Sequence, residues 1–478
     1  GTTHNVFGIQ TGVAIMFLIK KDKKEGQCII EYVSMHDEWR KEEKLGWLKN
    51  NPLEKIHFES IHPDKSNNWI NLSDDNDWNT LLPIADKNVK LGKFKDAVFE
   101  SFSLGVATNR DEWVYDHSED NLKKKVKYFI DFFNEEAQRW RNSDKNQKVN
   151  DFIRRDIKWT SELEAYLLKG ENLTADNSKI RIGSYRCFVS LPFYFDRNII
   201  HRPYQNESYF GIQNQHENKI LAINTNGREF NVLATSLIAN NHFNGDTQCL
   251  PLFRYDKENN RIENLTDWGL QQFINHYQDN TISKEEIFHY TYAVLHNPAY
   301  RKKYELNLKR EFPHLPFYED FRQWVAWGKA LMDLHINYKT VEPFPLLEHL
   351  YEIKAEAKRQ KEMFSMVEEP EAVFTRKPKV KVKLKADKFA GIIDIDELTF
   401  LSGVPAEAWE YKLGNRSALE WILDQYKEKK PGDPTIAEKF NIYLFADYKE
   451  KVIDLLKRVC TVSIETVNII KQMESVQL

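Results

Sequence analysis

Between residues 180 and 262 the apolar side chains come in short runs that alternate with polar ones and stop at turn-forming residues: KIRIGSYRCFVSLPFYFD, SYFGIQNQ, KILAINTN, EFNVLATSLIA and LPLFRYD. On both sides the spacing is helical instead. In NLKKKVKYFIDFFNEEAQRWR, Val126, Phe129, Ile130, Phe133 and Ala137 fall on one stripe, and the period is again helical from 283 to 360. Strands this short cannot bury their apolar faces alone, so they must be covered by the flanking helices. The expected class is therefore a multidomain α+β fold with a β-rich core. Upstream of the helix, AVFESFSLGVATNRDEWVYD reads as two strands around a loop. Downstream, FPLLEHLYEIKAEAKRQKEMFSMVEE reads as a long polar helix. The remainder from 389 reads as largely helical and ends in DYKEKVIDLLKRVCTVSIETVNIIKQM.

The start of the chain has a different character. QTGVAIMFLIK at 10–20 is continuously apolar, as in a strand buried on both faces. QCIIEYVSM reads as its neighbouring strand and HDEWRKEEKLGWLKNN as a helix. The whole reads as the short end of an α/β domain that begins before Gly1, a piece of a longer polypeptide. The longest apolar run, VFGIQTGVAIMFLI, is too short to span a bilayer, and no cationic segment precedes it as in a signal peptide. Residues 60–90 are rich in Asn, Asp and Pro and mark a boundary, giving divisions of 1–80, 81–365 and 366–478.

With 478 residues, 41% of them hydrophobic and 13% aromatic, the chain can build large cores. Its formal net charge of −4 means that any surface for a polyanion must come from local clustering of Lys and Arg. Cys28, Cys187, Cys249 and Cys460 are far apart and have no neighbouring histidine at metal-ligand spacing, which fits a reducing cytoplasm and predicts no zinc site.

Two short motifs invite an enzymatic reading. Asn297-Pro298-Ala299-Tyr300 resembles the Asn/Asp-Pro-Pro-Tyr/Phe loop of enzymes that methylate exocyclic amines. Such a loop should follow a strand, carry Pro third and lie downstream of a glycine-rich cofactor loop, which is absent. Asn before Pro is also what a helix N-terminus prefers, and that is the expectation here. Asp394 or Asp396 with Glu410 and Lys412 has the spacing of a metal-dependent nuclease, but AEAWEYKL follows Pro405 and reads as helix, so the carboxylates would not converge. No phosphate-binding loop and no nucleophile elbow occur. No catalytic residues and no metal ligands are assigned. A nuclease on Asp396, Glu410 and Lys412, a methyltransferase using Asn297 and Tyr300, and an interaction scaffold stand as alternatives.

The strongest cationic feature is RKPKVKVKLKADK. In a strand, Lys377, Lys379, Lys381, Lys383 and Lys385 share one face, opposite Val380, Val382 and Leu384. A phosphate backbone would suit that row, and the plainer reading is an edge strand guarded against aggregation. Arg181, Arg186, Arg197 and Arg202 in the β-rich core, and Arg110 in the 105–111 loop, are candidates for base or phosphate contacts.

Several long stretches, in consistent order over almost the whole chain, resemble the carboxy-terminal part of type ISP restriction-modification enzymes. They are HNVFGIQTGVAIMFLIKK, SLGVATNRDEWVYD, SYRCF, IFHYTYAVLHNPAYRKKYELNLKREFPHLP, LMDLHINYK, AEAWEYKLGNRSALEWILDQY and FADYKEKVIDLLKRVCTVSIETVNII. The resemblance implies the last strands of an adenine-N6 methyltransferase-like domain over 1–80 and a target recognition domain beyond. That domain would have a β-rich core with helices over 81–365 and a basic strand with helices over 366–478. It implies double-stranded DNA as partner, together with methyltransferase and ATPase domains upstream. S-adenosylmethionine, ATP and Mg²⁺ would be bound by those upstream parts and not by this fragment, and no membrane partner is implied. Cys187 stands where the family pattern leads one to expect proline, and Asn241 where it leads one to expect aspartate.

Overall fold

The computed structural model describes residues 5–9, 11–20, 28–35, 39–63, 69, 77–94, 96–211, 216–224, 229–351 and 380–474. It divides into two compact units, Gly1–Asn76 and Asp77–Leu478. In the first, β1 (Ile30–Tyr32) pairs antiparallel with β2 (Glu59–Ile61), and α1 (Lys41–Asn50) lies between them in sequence. The apolar run at 11–20 forms no strand, and its side chains are open to water, Phe17 by 72% and Ile19 by 85%. The expected doubly buried strand is therefore not found. Such a strand needs partner strands and covering layers, and the described residues of this unit bury no side chain fully.

The second unit is organised around two sheets. In chain order their strands are β3 (Ser103–Leu104), β4 (Ile180–Arg186), β5 (Val189–Tyr194), β6 (Ile220–Asn224), β7 (Asn231–Thr235), β8 (Ile238–Ala239) and β9 (Thr247–Pro251). Strands β3-β9-β6-β7 form an antiparallel sheet in that order, and β5-β4-β8 form a second one. Every residue of β6 and β7 is buried. Alternate side chains serve two separate cores: Ile220, Ala222 and Leu233 join one, while Leu221, Ile223, Val232 and Ala234 join the other. This is the period of two acting on both faces at once.

The first core takes in α2 (Glu119–Arg141), whose Val126, Phe129, Ile130, Phe133 and Ala137 are buried as their spacing predicts. The second is built by α3 (Lys284–Val294), α4 (Pro298–Lys303) and α5 (Phe321–Ile336). Helices α3 and α5 cross so closely at Gly328 that a Cβ there would stand 1.8 Å from the His289 carbonyl oxygen. Beyond α5 the structure departs from the sequence reading. Instead of helix there is a four-stranded antiparallel sheet in the order β10-β13-β12-β11, made of β10 (Leu347–Leu350), β11 (Val382–Asp387), β12 (Ile392–Asp396) and β13 (Thr399–Ser402). The rest of the expected polar helix, 352–369, lies outside the described residues. Leu384, Ile393, Ile395 and Leu401 drive these strands into the first core. The segment expected as a second strand beyond the 105–111 loop begins instead as a short helix, Asp111–Val114, because Asp111 and Glu112 suit its first turn.

The last helix, α6 (Lys449–Glu474), touches both cores, through Val459, Val462 and Val467 on one side and Met473 on the other. A buried polar chain ties it down. The Tyr292 hydroxyl accepts the Ala234 N–H of β7 at 2.8 Å and so turns its own proton to His335 Nδ1. His335 is then protonated on Nε2, which donates to Thr466 Oγ1 at 2.9 Å. Burial, with the Arg301 guanidinium adding to it, holds His335 far below the usual imidazole range, at about 3. In the unfolded chain the ring gains a proton near pH ~6.5. Its contribution is therefore complete above that pH and is lost as pH falls towards the folded value. Urea titrations from pH 7.5 down should show stability falling below about 6.5, with His335 contributing up to about 1.4 kcal/mol per pH unit. His335→Gln should remove that share of the slope.

Candidate nucleic-acid interface

Three segments distant in sequence meet through their main chains. Val106 N–H donates to the Ala239 carbonyl at 2.8 Å and Asn241 N–H to the Val106 carbonyl at 2.8 Å. Ala107 and Arg202 exchange a pair of bonds at 3.0 and 2.9 Å. Gly105 makes the approach possible, because a Cβ there would lie 2.7 Å from the Asn240 oxygen.

A polar hub fills the junction. Asn240, 1% exposed, accepts from the Arg186 guanidinium at 3.1 Å and from the His242 N–H at 2.8 Å, and its amide donates to Asp111 at 3.4 Å. Asp111 also accepts from the Thr108 hydroxyl and lies 3.6 Å from Arg186. Arg186 is stacked on Tyr185 at 4.0 Å from the ring centre. Around this hub the loops leave Asn109, Arg202 and His242 exposed. Asn109 sits at φ +52°, which a short polar side chain tolerates better than most, and His242 stands 3.6 Å from Asp246. Asn109, Asn240 and His242 are not among the residues singled out by charge in the sequence. The signal that carries them is their place inside or beside the stretches SLGVATNRDEWVYD and Asn241-His242.

The candidate cations fare differently from one another. Arg110 is buried, 3% exposed, with its guanidinium on the Ile199 carbonyl, on Thr160 Oγ1 at 2.8 Å and over Phe129. Burial lowers its pKa to about 10. Its guanidinium is engaged in the interior, because the same loop that exposes Asn109 turns the next side chain inward. Arg197 is paired with Glu207 at 2.9 Å, and Arg181 reaches the Ser178 and Ile180 carbonyls. Arg202 alone of the five arginines is exposed without a side-chain partner among the described residues.

Strand β11 is an edge strand, and its lysines do not form one uninterrupted row. Lys377 and Lys379 lie outside the described residues. The pairing with β12 shifts register between Val382 and Lys385, where buried Leu384 takes φ +41°. That bulge breaks the even alternation the sequence predicts. Lys383 is drawn towards Asp394, 3.5 Å away, and over the Tyr351 ring. Lys381 and Lys385 remain exposed. Lys381 and Lys383 border an open cleft with Lys427 and Glu428.

The two enzyme-like motifs are structural. Asn297 caps α4 by accepting the Tyr300 N–H at 2.9 Å, Pro298 occupies the first turn, and the fully buried Tyr300 donates its hydroxyl to the His314 carbonyl at 2.7 Å. Asp396 is held by the Leu398 and Thr399 amides at 2.8 Å and by Lys449 at 2.9 Å, while Glu410 pairs with Lys471 at 3.4 Å. Among the described residues no group of His, Cys, Asp or Glu could hold a metal ion, and no helix is long and apolar enough to cross a membrane.

The structure thus defines a layered α/β scaffold that holds exposed loop side chains around a buried polar hub. Residues 97–455 match the description Type ISP C-terminal specificity domain, and the chain belongs to that family. Three solved structures are similar to it. The chain of a cryoEM DrdV–DNA complex is 42% identical, with a TM-score of 0.81 over 94% of this chain and 43% of that one. A nuclease-deletion mutant of the Type ISP restriction-modification enzyme LlaGI, in complex with a DNA substrate mimic, is 25% identical, with a TM-score of 0.74 over 95% of this chain and 33% of that one. The ATP-dependent Type ISP enzyme LlaBIII bound to DNA shares the fold at 24% identity, with a TM-score of 0.78 over 100% of this chain and 30% of that one. The chain therefore spans less than half the length of each. No match was found among curated proteins.

Replacing Asn297 by Ala should cost about 1–2 kcal/mol of stability through the lost cap, and Asn297→Ser should recover most of it. Urea unfolding of both variants checks this.

Proposed function

We propose that this chain is the target-recognition part of a longer restriction-modification enzyme of the bacterial cytoplasm, and that it reads double-stranded DNA. The observation that carries this is the 42% identity, over 94% of the chain, with a protein solved as a DNA complex. In this reading the loops around Asn240 face base edges. Arg202 is the group placed to reach a guanine, with Asn109 and His242 beside it, because an exposed guanidinium without a partner sacrifices no ion pair on binding. Lys381 and Lys385 follow phosphates, where a cation gains affinity by releasing condensed counterions and carries no sequence information. Arg186 and Asp111 hold the hub that orients the loops.

Methylation and ATP-driven translocation or cleavage belong, in this proposal, to upstream parts of the parent enzyme, which would bind S-adenosylmethionine, ATP and Mg²⁺. The sequence holds no phosphate-binding loop, and the described residues gather no group of metal ligands. No step is assigned to them.

The test is a salt titration of the full chain on a duplex recovered from a random-sequence pool and on an unrelated duplex. Lys381→Ala with Lys385→Ala should weaken both complexes alike and flatten the log–log salt slope by roughly 0.9 per lost contact. Arg202→Ala should cost about 1–3 kcal/mol on the recovered duplex and little on the other. Failure of the unaltered chain to retain any duplex at low salt would overturn the reading.

A further inference from the structure

The hairpin joining β11 to β12 ends in Asp387-Lys388-Phe389-Ala390-Gly391, and Phe389 at its apex is 107% exposed, more than any other large apolar side chain described. The ring is not at the end of a slack loop. Asp387 Oδ1 accepts both the Phe389 and the Ala390 N–H at 3.1 Å. Gly391 takes φ +64°, where a Cβ would stand 2.6 Å from the Val404 carbonyl oxygen, and its own carbonyl accepts the Val404 N–H at 3.1 Å. Lys388 is fixed to Glu420 at 2.7 Å. Leu384 and Ile393 root the two strands in the first core. The result is an aromatic ring held in water on a stiff stalk, a position that gains nothing from burial within this chain.

The charge on the stalk narrows what can cover that ring. The carboxylates of the two strands and the turn are engaged, Asp387 by the turn amides, Asp394 by Tyr351 and Lys383, and Asp396 by Lys449 and two amides. Lys385 on the strand leading to the apex and Lys381 just before that strand stay exposed, and neither has an ion pair among the described residues. An apolar wedge flanked by unspent cations suits a duplex, whose phosphates meet the ammonium groups while the ring enters between two base pairs.

We propose that Phe389 is a wedge that inserts into one base step of bound duplex DNA and unstacks it. This rests on the reading of the chain as a DNA binder. It assigns an apolar hairpin residue a role separate from the base-reading loops. Insertion deforms the duplex, so Phe389 would favour sites containing a flexible step without contacting a base edge.

The experiment uses the full chain and a duplex recovered by it from a random-sequence pool, substituted with 2-aminopurine at each position in turn. With the unaltered chain, fluorescence should rise at one step. Phe389→Ala should abolish that rise and weaken binding roughly tenfold, while Phe389→Leu, still a wedge, should keep the rise. Because the side chain packs on nothing in the chain, the urea midpoint should not move. If Phe389→Ala keeps both the fluorescent step and the affinity, the wedge is overturned while DNA binding stands. If it leaves DNA binding intact and changes sedimentation of the chain, the ring is a protein contact and the wedge is again overturned. Recovery of no duplex by the unaltered chain removes the DNA reading and the wedge with it, a result that does not depend on Phe389.

Discussion

The Tyr292 hydroxyl is the point on which the second unit turns. It accepts a hydrogen bond from a strand of the central sheet, donates one to a histidine of a neighbouring helix, and through that ring reaches the last helix of the chain. Each bond fixes the direction of the next, so the imidazole must stay neutral and in one tautomer. A sheet with a core on either face has no solvent-exposed side from which to correct a misplaced helix. A directed polar chain supplies the register that apolar packing, being non-directional, cannot.

Much of this was legible in the sequence where the physics is local. The stripe on the helix Glu119–Arg141, most of the strand runs between 180 and 262, and the Asn-Pro helix start each depend on residues a few positions apart; the run SYFGIQNQ is the exception, since its described start belongs to a helix, Asn206–Phe210. Burial on both faces, expected for residues 10–20, belongs instead to Ile220–Asn224 and Asn231–Thr235, because it depends on which layers cover a strand and not on how apolar the strand is. The sheet formed by Leu347–Leu350 and Val382–Ser402 looks in sequence like helix or a single strand, since its pairings close over distances no local period records.

The cations mark the same divide more sharply. Sequence shows that a residue is arginine and cannot show what it faces. Arg110 turned out to serve the interior, Arg197 a glutamate and Arg186 an asparagine and an aspartate, which leaves Arg202 exposed. Pairing removes a cation from use, because separating it from a carboxylate forfeits an interaction before any phosphate can be gained. The number of lysines and arginines in such a chain is therefore a poor guide to its affinity for a polyanion. The count that matters is of those left over.

The junction of residues 105–107, 202 and 239–241 is held by peptide groups, and apart from Gly105 and Asn240 those bonds are indifferent to the side chains that decorate them. Exposed positions such as Arg202 and His242 can consequently be exchanged during evolution at little cost to folding, whereas Asn109, at φ +52°, is held to short polar residues or glycine. An architecture built in this way is a chassis for diversification: lineages can drift in what they prefer while inheriting the same frame.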